Sequence, residues 1–162
     1  MLREPAQGWA LSARGKALAD CGAGMVVSGR IIIETRGNGD TKDITELVQE
    51  QLQGSGLSSG VATLCVVGST AGLTTLEFEP GAVADLQTAL ERVAPRGAHY
   101  KHHFRWGDDN GHSHVRAALL GPSLSVPFVD GKLILGTWQQ IILVDFDTRS
   151  RRREVVVQIM GE

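Results

Sequence analysis

All five histidines of the chain lie between His99 and His114, within sixteen consecutive residues. Neutral imidazole nitrogens next to a carboxylate are the usual ligand set for Zn²⁺ or a related divalent ion, and three protein ligands leave a position open for water or substrate. The spacing of His112 and His114 decides whether both can serve. Two residues apart, their rings share one side of a strand but sit about 200° apart around a helix. A joint site therefore requires His112 at the non-helical entry of its segment, and the capping residues Asp109 and Asn110 just before it permit that. A hydrogen-bonded loop cluster without metal accounts for the same residues.

The segment Gly68-Ser69-Thr70-Ala71-Gly72 sets two hydroxyls between glycines after an apolar run. Such turns present backbone N–H groups and hydroxyls to a phosphate or carboxylate; they also serve as plain strand-to-strand turns. No Gly-Lys-Ser/Thr follows, so it is not a P-loop. Glu77 and Glu79 alternate with Leu76 and Phe78, so on a strand both carboxylates point to one face. That face is either solvated or offers Glu77 as a metal ligand or general base beside the histidines. Arg116, just beyond His114, suits an anion clamp or a surface salt bridge. Gln139 shares a strand face with Ile141 and Leu143, the place of a satisfied amide or of a ligand contact. The run Arg151-Arg152-Arg153 reads as a solvated turn or strand end, or as an anion-binding patch. Cys65, inside the apolar run 61–67, reads as a small buried hydrophobe rather than a nucleophile.

Elements must position these groups. Residues 26–35 are β-branched and partly alternating, which predicts a strand. Residues 41–52 switch to helical spacing. There Ile44, Leu47, Val48 and Leu52 form one stripe, Asp43 and Glu46 a capping-box pattern, and Gly54 a stop. A nearly continuous apolar strand, covered on both faces, is expected over 60–67, and a shorter strand over 73–78. A second helix spans 81–93, with Val83, Leu86, Leu90 and Val93 on one face and Pro95 and Gly97 ending it. Residues 96–111 read as a long polar loop, of the kind that carries function or motion in compact domains. A short helix over 112–120 closes at Gly121-Pro122. The remainder is strand: 123–129 and 132–135 across the hairpin dipeptide Asp130-Gly131, then 138–146 and 154–160. Helices early and antiparallel strands late make the class α+β.

Bulk properties narrow the function classes. A length of 162 residues with 42% hydrophobic and 21% charged content suits one globular domain that buries its own core. The net charge of -2 and sequence pI of about 6.2 give no global basic field toward nucleic acid or acidic membranes. No stretch approaches the ~18 apolar residues of a membrane span, and no signal-peptide core is evident. Two cysteines, Cys21 and Cys65, make no disulfide framework, so a reducing cytoplasm is expected. Residues 1–24, rich in Gly and Ala without strong periodicity, read as an N-terminal extension, and 25–162 as a single domain.

Several spaced blocks then carry a resemblance. Gly68-Ser69-Thr70-Ala71-Gly72-Leu73-Thr74-Thr75, Glu77 with Glu79-Pro80-Gly81, Tyr100-Lys101-His102, the run from Asp109 to Ala117, and Leu135-Gly136-Thr137-Trp138-Gln139 resemble, in order, the signature blocks of the YjbQ-like proteins. The resemblance implies an α+β fold with antiparallel β-sheets in a sandwich-like core and a few flanking helices, assembled as a homotrimer. It also implies a pocket of histidine, glutamate and the Ser-Thr turn, and a weak thiamine-phosphate synthase (transferase) activity on a phosphorylated small molecule. Glu77 and His114 are then expected to handle protons, and Ser69, Thr70, Arg116 and Gln139 to hold substrate or anion. His102, His112 and His114 are expected to hold a divalent metal (Zn, Mg or Mn). The alternative is a non-catalytic trimer that binds a metabolite or metal in the same pocket.

Overall fold

The computed structural model describes residues 24–162. Along them run β1 (Met25–Thr35), β2 (Asp40–Asp43), α1 (Thr45–Ser55), β3 (Gly60–Val67), β4 (Ala71–Leu76) and α2 (Pro80–Val93). Then follow α3 (Lys101–Trp106), α4 (Gly111–Leu120), β5 (Ser123–Val129), β6 (Lys132–Leu133), β7 (Gln140–Asp145) and β8 (Arg151–Gly161). But for Gly24, the expected N-terminal extension lies outside the described residues.

Period-two alternation sets the larger sheet. Ile31 and Ile33 of β1, Ala62, Leu64 and Val66 of β3, and Val155, Val157 and Ile159 of β8 are all buried on one face. Pairing is antiparallel in the order β1-β8-β3-β5-β6, with Met25 opposite Gly161 and Thr35 opposite Arg151. A smaller sheet has the order β2-β7-β4. Its central strand carries Ile141, Ile142, Leu143 and Val144, each 0% exposed. An unbroken apolar run is what a strand covered on both faces requires. Ile141 and Leu143 join the large sheet, the α1 residues Val48 and Leu52, and Ile44 at the start of that helix in one core. Ile142 and Val144, with Phe146, pack against Leu90 of α2 and Ala117 of α4 in another. The result is layered: large sheet with α1, small sheet, then α2 and α4. The expected α+β class of antiparallel sheets with flanking helices is the observed one.

Several local expectations are corrected. Residues 40–43 pair with β7 instead of starting the first helix; a free ladder edge on β7 outweighs the weak β-propensity of Asp-Thr-Lys-Asp. Asp43 forms no capping box with Glu46, but accepts hydrogen bonds from the N–H and hydroxyl of Thr45 at 2.9 and 2.6 Å. The stretch read as a loop contains α3. The strand expected from Trp138 starts at Gln140, and β4 ends at Leu76, leaving Glu77 and Glu79 beyond it. Glu79 instead caps α2, accepting from the N–H groups of Gly81 and Ala82. The described residues cover only one face of β3: Val61, Cys65 and Val67 point outward and are exposed.

Candidate functional site

The strand ends on one side of both sheets bring β1, β3, β4, β7 and β8 together, and polar residues fill the junction. Arg153, 6% exposed, donates its Nε and Nη2 to the two carboxylate oxygens of Asp145 at 2.7 and 2.6 Å. Asp145 also accepts from the Thr35 hydroxyl at 2.5 Å and the Asp147 N–H at 2.9 Å. Nη2 of Arg153 reaches the Thr70 hydroxyl at 2.7 Å, which itself donates to Asp147 at 3.0 Å. Arg151 closes the network with its Nε 2.8 Å from Asp147. A bidentate buried pair with further hydrogen bonds to both members fixes geometry. It holds the turn from β3 to β4 against the turn from β7 to β8.

Burial pushes the Asp147 carboxyl up, but hydrogen bonds from Thr70, Arg151 and the Thr148 N–H together hold it below its ordinary value. Above the network opens a concavity of about 450 Å³. Gly68, Ser69 and Thr70 line it from the first turn, Arg151, Arg152 and Arg153 from β8, and His102, Asp108, Asn110 and His114 from α3 and α4. Three guanidinium groups and two imidazoles thus face two lining carboxylates, Asp108 and Asp147. Neither the N–H nor the hydroxyl of Ser69 has a partner among the described residues. Those donors are available to an incoming oxygen.

Two short contacts hold α4 in place. The Ser113 hydroxyl donates to the Phe146 carbonyl at 2.5 Å, and the Gly111 N–H donates to His103 Nε2 at 3.1 Å. His114 then projects toward the pocket, its ring centroid 4.4 Å from that of His102 on α3. His102 Nε2 lies 3.5 Å from Asp108. Asn110 is 6% exposed, and its Oδ1 is unpartnered among the described residues.

The other residues expected in this pocket sit elsewhere in the chain. His112 is the second residue of α4, so the helical angle turns its ring away from that of His114. It is buried beside Tyr100, with Nε2 3.3 Å from the Ser113 hydroxyl. Burial first, then the positive charges of Arg116 and Arg96, lowers its pKa and keeps the ring neutral. Arg116 is buried under α2, donating twice to the Ala94 carbonyl and pairing with Glu91. Gln139 bonds the Thr75 hydroxyl at 3.0 Å, at the opposite end of the small sheet. Glu77 is there too, in a separate concavity with Asp43, Glu79, Phe78 and Trp138. Ser69, Thr70, His102 and His114 are therefore brought together; His112, Arg116, Gln139 and Glu77 are not.

Among the described residues, no three of His, Cys, Asp and Glu form a group able to hold a metal ion. A divalent ion requires ligands within about 2.0–2.2 Å of one point, and the divergence of His112 from His114 removes the third histidine. The three-histidine set does not fit a resident metal within one chain. The donors present suit an anion: planar guanidinium groups match phosphate oxygens, and imidazoles can exchange a proton with them.

Spacing and residue type do not single out Asp108, Asp145 or Asp147, assign Asn110 only to capping, and leave the arginine run open between a solvated turn and an anion patch. A usable signal was present. Asp145 ends one strand and Arg151 and Arg153 alternate at the start of the next, so period two aims these at one junction, which Asp147 joins from the turn between them.

The sequence pattern of the family described as "UPF0047 protein YjbQ-like" matches residues 29–162. A UPF0047 protein of Methanothermobacter thermautotrophicus is 36% identical over 120 residues, covering 74% of this chain and 82% of the relative. One from Synechocystis is 32% identical over 133 residues, covering 82% and 90%. The crystal structure of a YbjQ-like protein of unknown function from Sulfolobus solfataricus superposes with a TM-score of 0.81 at 33% identity, covering 86% of this chain and 99% of that one. A yjbq/upf0047 protein from Clostridium acetobutylicum gives a TM-score of 0.74 at 35% identity, covering 80% and 98%.

Proposed function

The chain belongs to the YjbQ-like UPF0047 family, and from that premise we propose that its arginine–histidine pocket binds the phosphate group of a small metabolite. The observation that carries this reading is the composition of one concavity: Arg151, Arg152, Arg153, His102 and His114 around the unpartnered donors of Ser69. Thr70 acts through the turn it holds, because its hydroxyl is committed to Asp147 and Arg153.

The chemistry that fits is displacement of a phosphorylated leaving group. In a thiamine-phosphate-type transfer, the bond from carbon to the pyrophosphate oxygen breaks as the thiazole nitrogen bonds that carbon. The departing oxygens gather negative charge. Arg152, exposed at the rim with only a loose contact to Glu34, and the donors of Ser69 are the groups left to stabilise that charge more in the transition state than in the ground state. His114, next to His102 and open to the pocket, is the group that donates or accepts a proton there. Isothermal titration with inorganic phosphate and pyrophosphate tests the binding. Micromolar to millimolar affinity, lost in Ser69→Ala/Arg152→Ala, is expected; no heat with either anion contradicts the reading. A second reading, binding without turnover, draws on the commitment of Asp147 to Thr70 and Arg151, which leaves this carboxylate unavailable as a base. Product formation that ceases in His114→Ala decides for the enzyme.

The protein works as a homotrimer in a reducing cytoplasm. Supporting this, the outer face of the large sheet carries an apolar row: Val26 beside Met160, Met160 beside Val61, and Val61 beside Pro127. Val26, Met160 and Val61 are 56%, 47% and 36% exposed, and no described residue covers the row.

A further inference from the structure

Two polar concavities occupy opposite ends of the small sheet, and they carry opposite charge. At one end, where Ala71 pairs with Asp145, lies the arginine–histidine pocket; at the other, where Leu76 pairs with Gln140, lies the concavity containing Glu77. Ser69 and Glu77 are eight residues apart, which spans about 26 Å along an extended strand at roughly 3.3 Å per residue. Glu77 of one chain therefore cannot reach that chain's own pocket.

The second concavity, about 330 Å³, gathers three carboxylates, Asp43, Glu77 and Glu79, with Phe78 and Trp138. Glu79 is committed to the start of α2 and Asp43 to Thr45. The Glu77 carboxylate has no partner among the described residues, and no described Lys, Arg or His pairs with any of the three. Trp138 is 71% exposed and Phe78 42%. Bare aromatic rings beside an acidic hollow leave apolar area for a partner to cover and negative charge for a basic partner to match. The complementary surface is on the same molecule. Arg152, at the rim of the arginine–histidine pocket, has a side chain 68% exposed and only a loose contact with Glu34 at 3.7 Å.

A closed ring of three copies joins two different patches of the chain at each contact. We infer that the acidic, aromatic end of the small sheet on one copy seats against the arginine–histidine pocket of the next, delivering Glu77 to it. The inference rests on the homotrimer proposed above. It makes the phosphate site a shared one, with arginines and histidines from one copy and a carboxylate from its neighbour. Glu77 then stands as a proton acceptor opposite His114, a role it has no access to within its own chain. Trp138 and Phe78 would cover the pocket mouth and exclude water.

Engineered disulfides test this without any assumption about substrate. In the full chain with Cys21→Ser and Cys65→Ser, Glu77→Cys combined with Arg152→Cys is oxidised at low micromolar concentration and run on a non-reducing gel. A disulfide needs Cα atoms within about 7 Å, and residues 77 and 152 of one chain lie at opposite ends of the fold, so every bond formed joins two copies. Covalent dimers and trimers from the double variant, and none from either single variant, are expected. Charge exchange is the second arm: Arg152→Glu should weaken self-association about tenfold or more, and adding Glu77→Arg should restore it. A chain of trimer mass by light scattering that gives no 77–152 link, and is indifferent to Arg152→Glu, overturns this inference and leaves the trimer standing. A monomer mass overturns both.

Discussion

An arginine taken out of water is stable only when carboxylates and hydroxyls occupy its donors, and Arg153 meets that condition with Asp145 and Thr70. Breaking such a pair leaves a buried charge unmatched. Arg153→Ala should therefore lower unfolding free energy by about 3–5 kcal/mol in urea titration, because Asp145 is 0% exposed and loses its counter-ion. Asp147 gives the network a pH dependence. Its folded-state pKa lies below its ordinary value of 3.8, so the native state binds its proton less readily than the unfolded chain. The stabilisation is fully present above about pH 4 to 5 and is lost as pH falls through the depressed folded value. Melting temperatures recorded from pH 6 to 2.5 should drop in that acid window, and Asp147→Asn should flatten the drop while lowering stability at neutral pH. His114 has a different part. It is only half-buried and takes part in no salt bridge among the described residues, so His114→Ala should cost under about 1 kcal/mol of stability. Its phosphate affinity, read by calorimetry, should fall about tenfold.

At the level of elements, the pocket depends on how closely α3 and the segment before it approach α4. Gly111 makes the approach possible: a Cβ there would meet Tyr100 Cβ at 2.5 Å and Cγ at 2.8 Å. Those atoms sit next to the backbone and have little freedom to withdraw, so Gly111→Ala should push the Tyr100 segment outward and carry His102 with it. A cost of about 1–3 kcal/mol is expected from the overpacking. Phosphate affinity should fall further than stability alone accounts for, and amide exchange in α3 should accelerate. Equal protection of α3 in wild type and variant would contradict the coupling. Gly37, with φ of 72° at the turn out of β1, has a comparable constraint: a Cβ would come within 2.5 Å of the Asp147 and Arg149 carbonyls. Both glycines thus serve the pocket through backbone proximity.

For the molecule as a whole, the proposed homotrimer would use the outer face of the large sheet, which separates assembly from folding. Val61 and Met160 point away from both cores, so Val61→Glu with Met160→Glu removes apolar contact area without opening a cavity. Light scattering should show the mass falling toward that of a monomer, with the circular dichroism of the sheets retained. Thermal stability of the wild type should rise with protein concentration, as linkage to assembly requires, and that dependence should vanish in the variant. A wild-type melting temperature constant across a hundredfold range of concentration would speak against the assembly. No helix among the described residues is long and apolar enough to cross a membrane.

Periodicity carries information about neighbours in sequence, and it settled the parts of this protein that are local. The strands near 26–35, 60–67 and 123–129, the buried Val48 and Leu52 of the helix stripe, and the Asp130-Gly131 turn follow from side-chain spacing and turn chemistry, whereas Leu47 of that stripe is 39% exposed. The histidine window and the Ser69-Thr70 turn were legible for the same reason, as unusual residue types in short stretches. What spacing could not convey was convergence. The pairing of residues 40–43 with β7 depends on a strand a hundred residues away, and a vacant ladder edge overrode the local helical pattern. The junction of Asp145, Asp147, Arg151 and Arg153 with Thr70 forms only because strand ends from both sheets meet there. The separation of Glu77 from His114 was equally hidden, since both belong to blocks that resemble one family's pocket, yet β4 carries them to opposite ends of a sheet. Electrostatic partnership is a property of distance in space, and only the folded backbone assigns those distances.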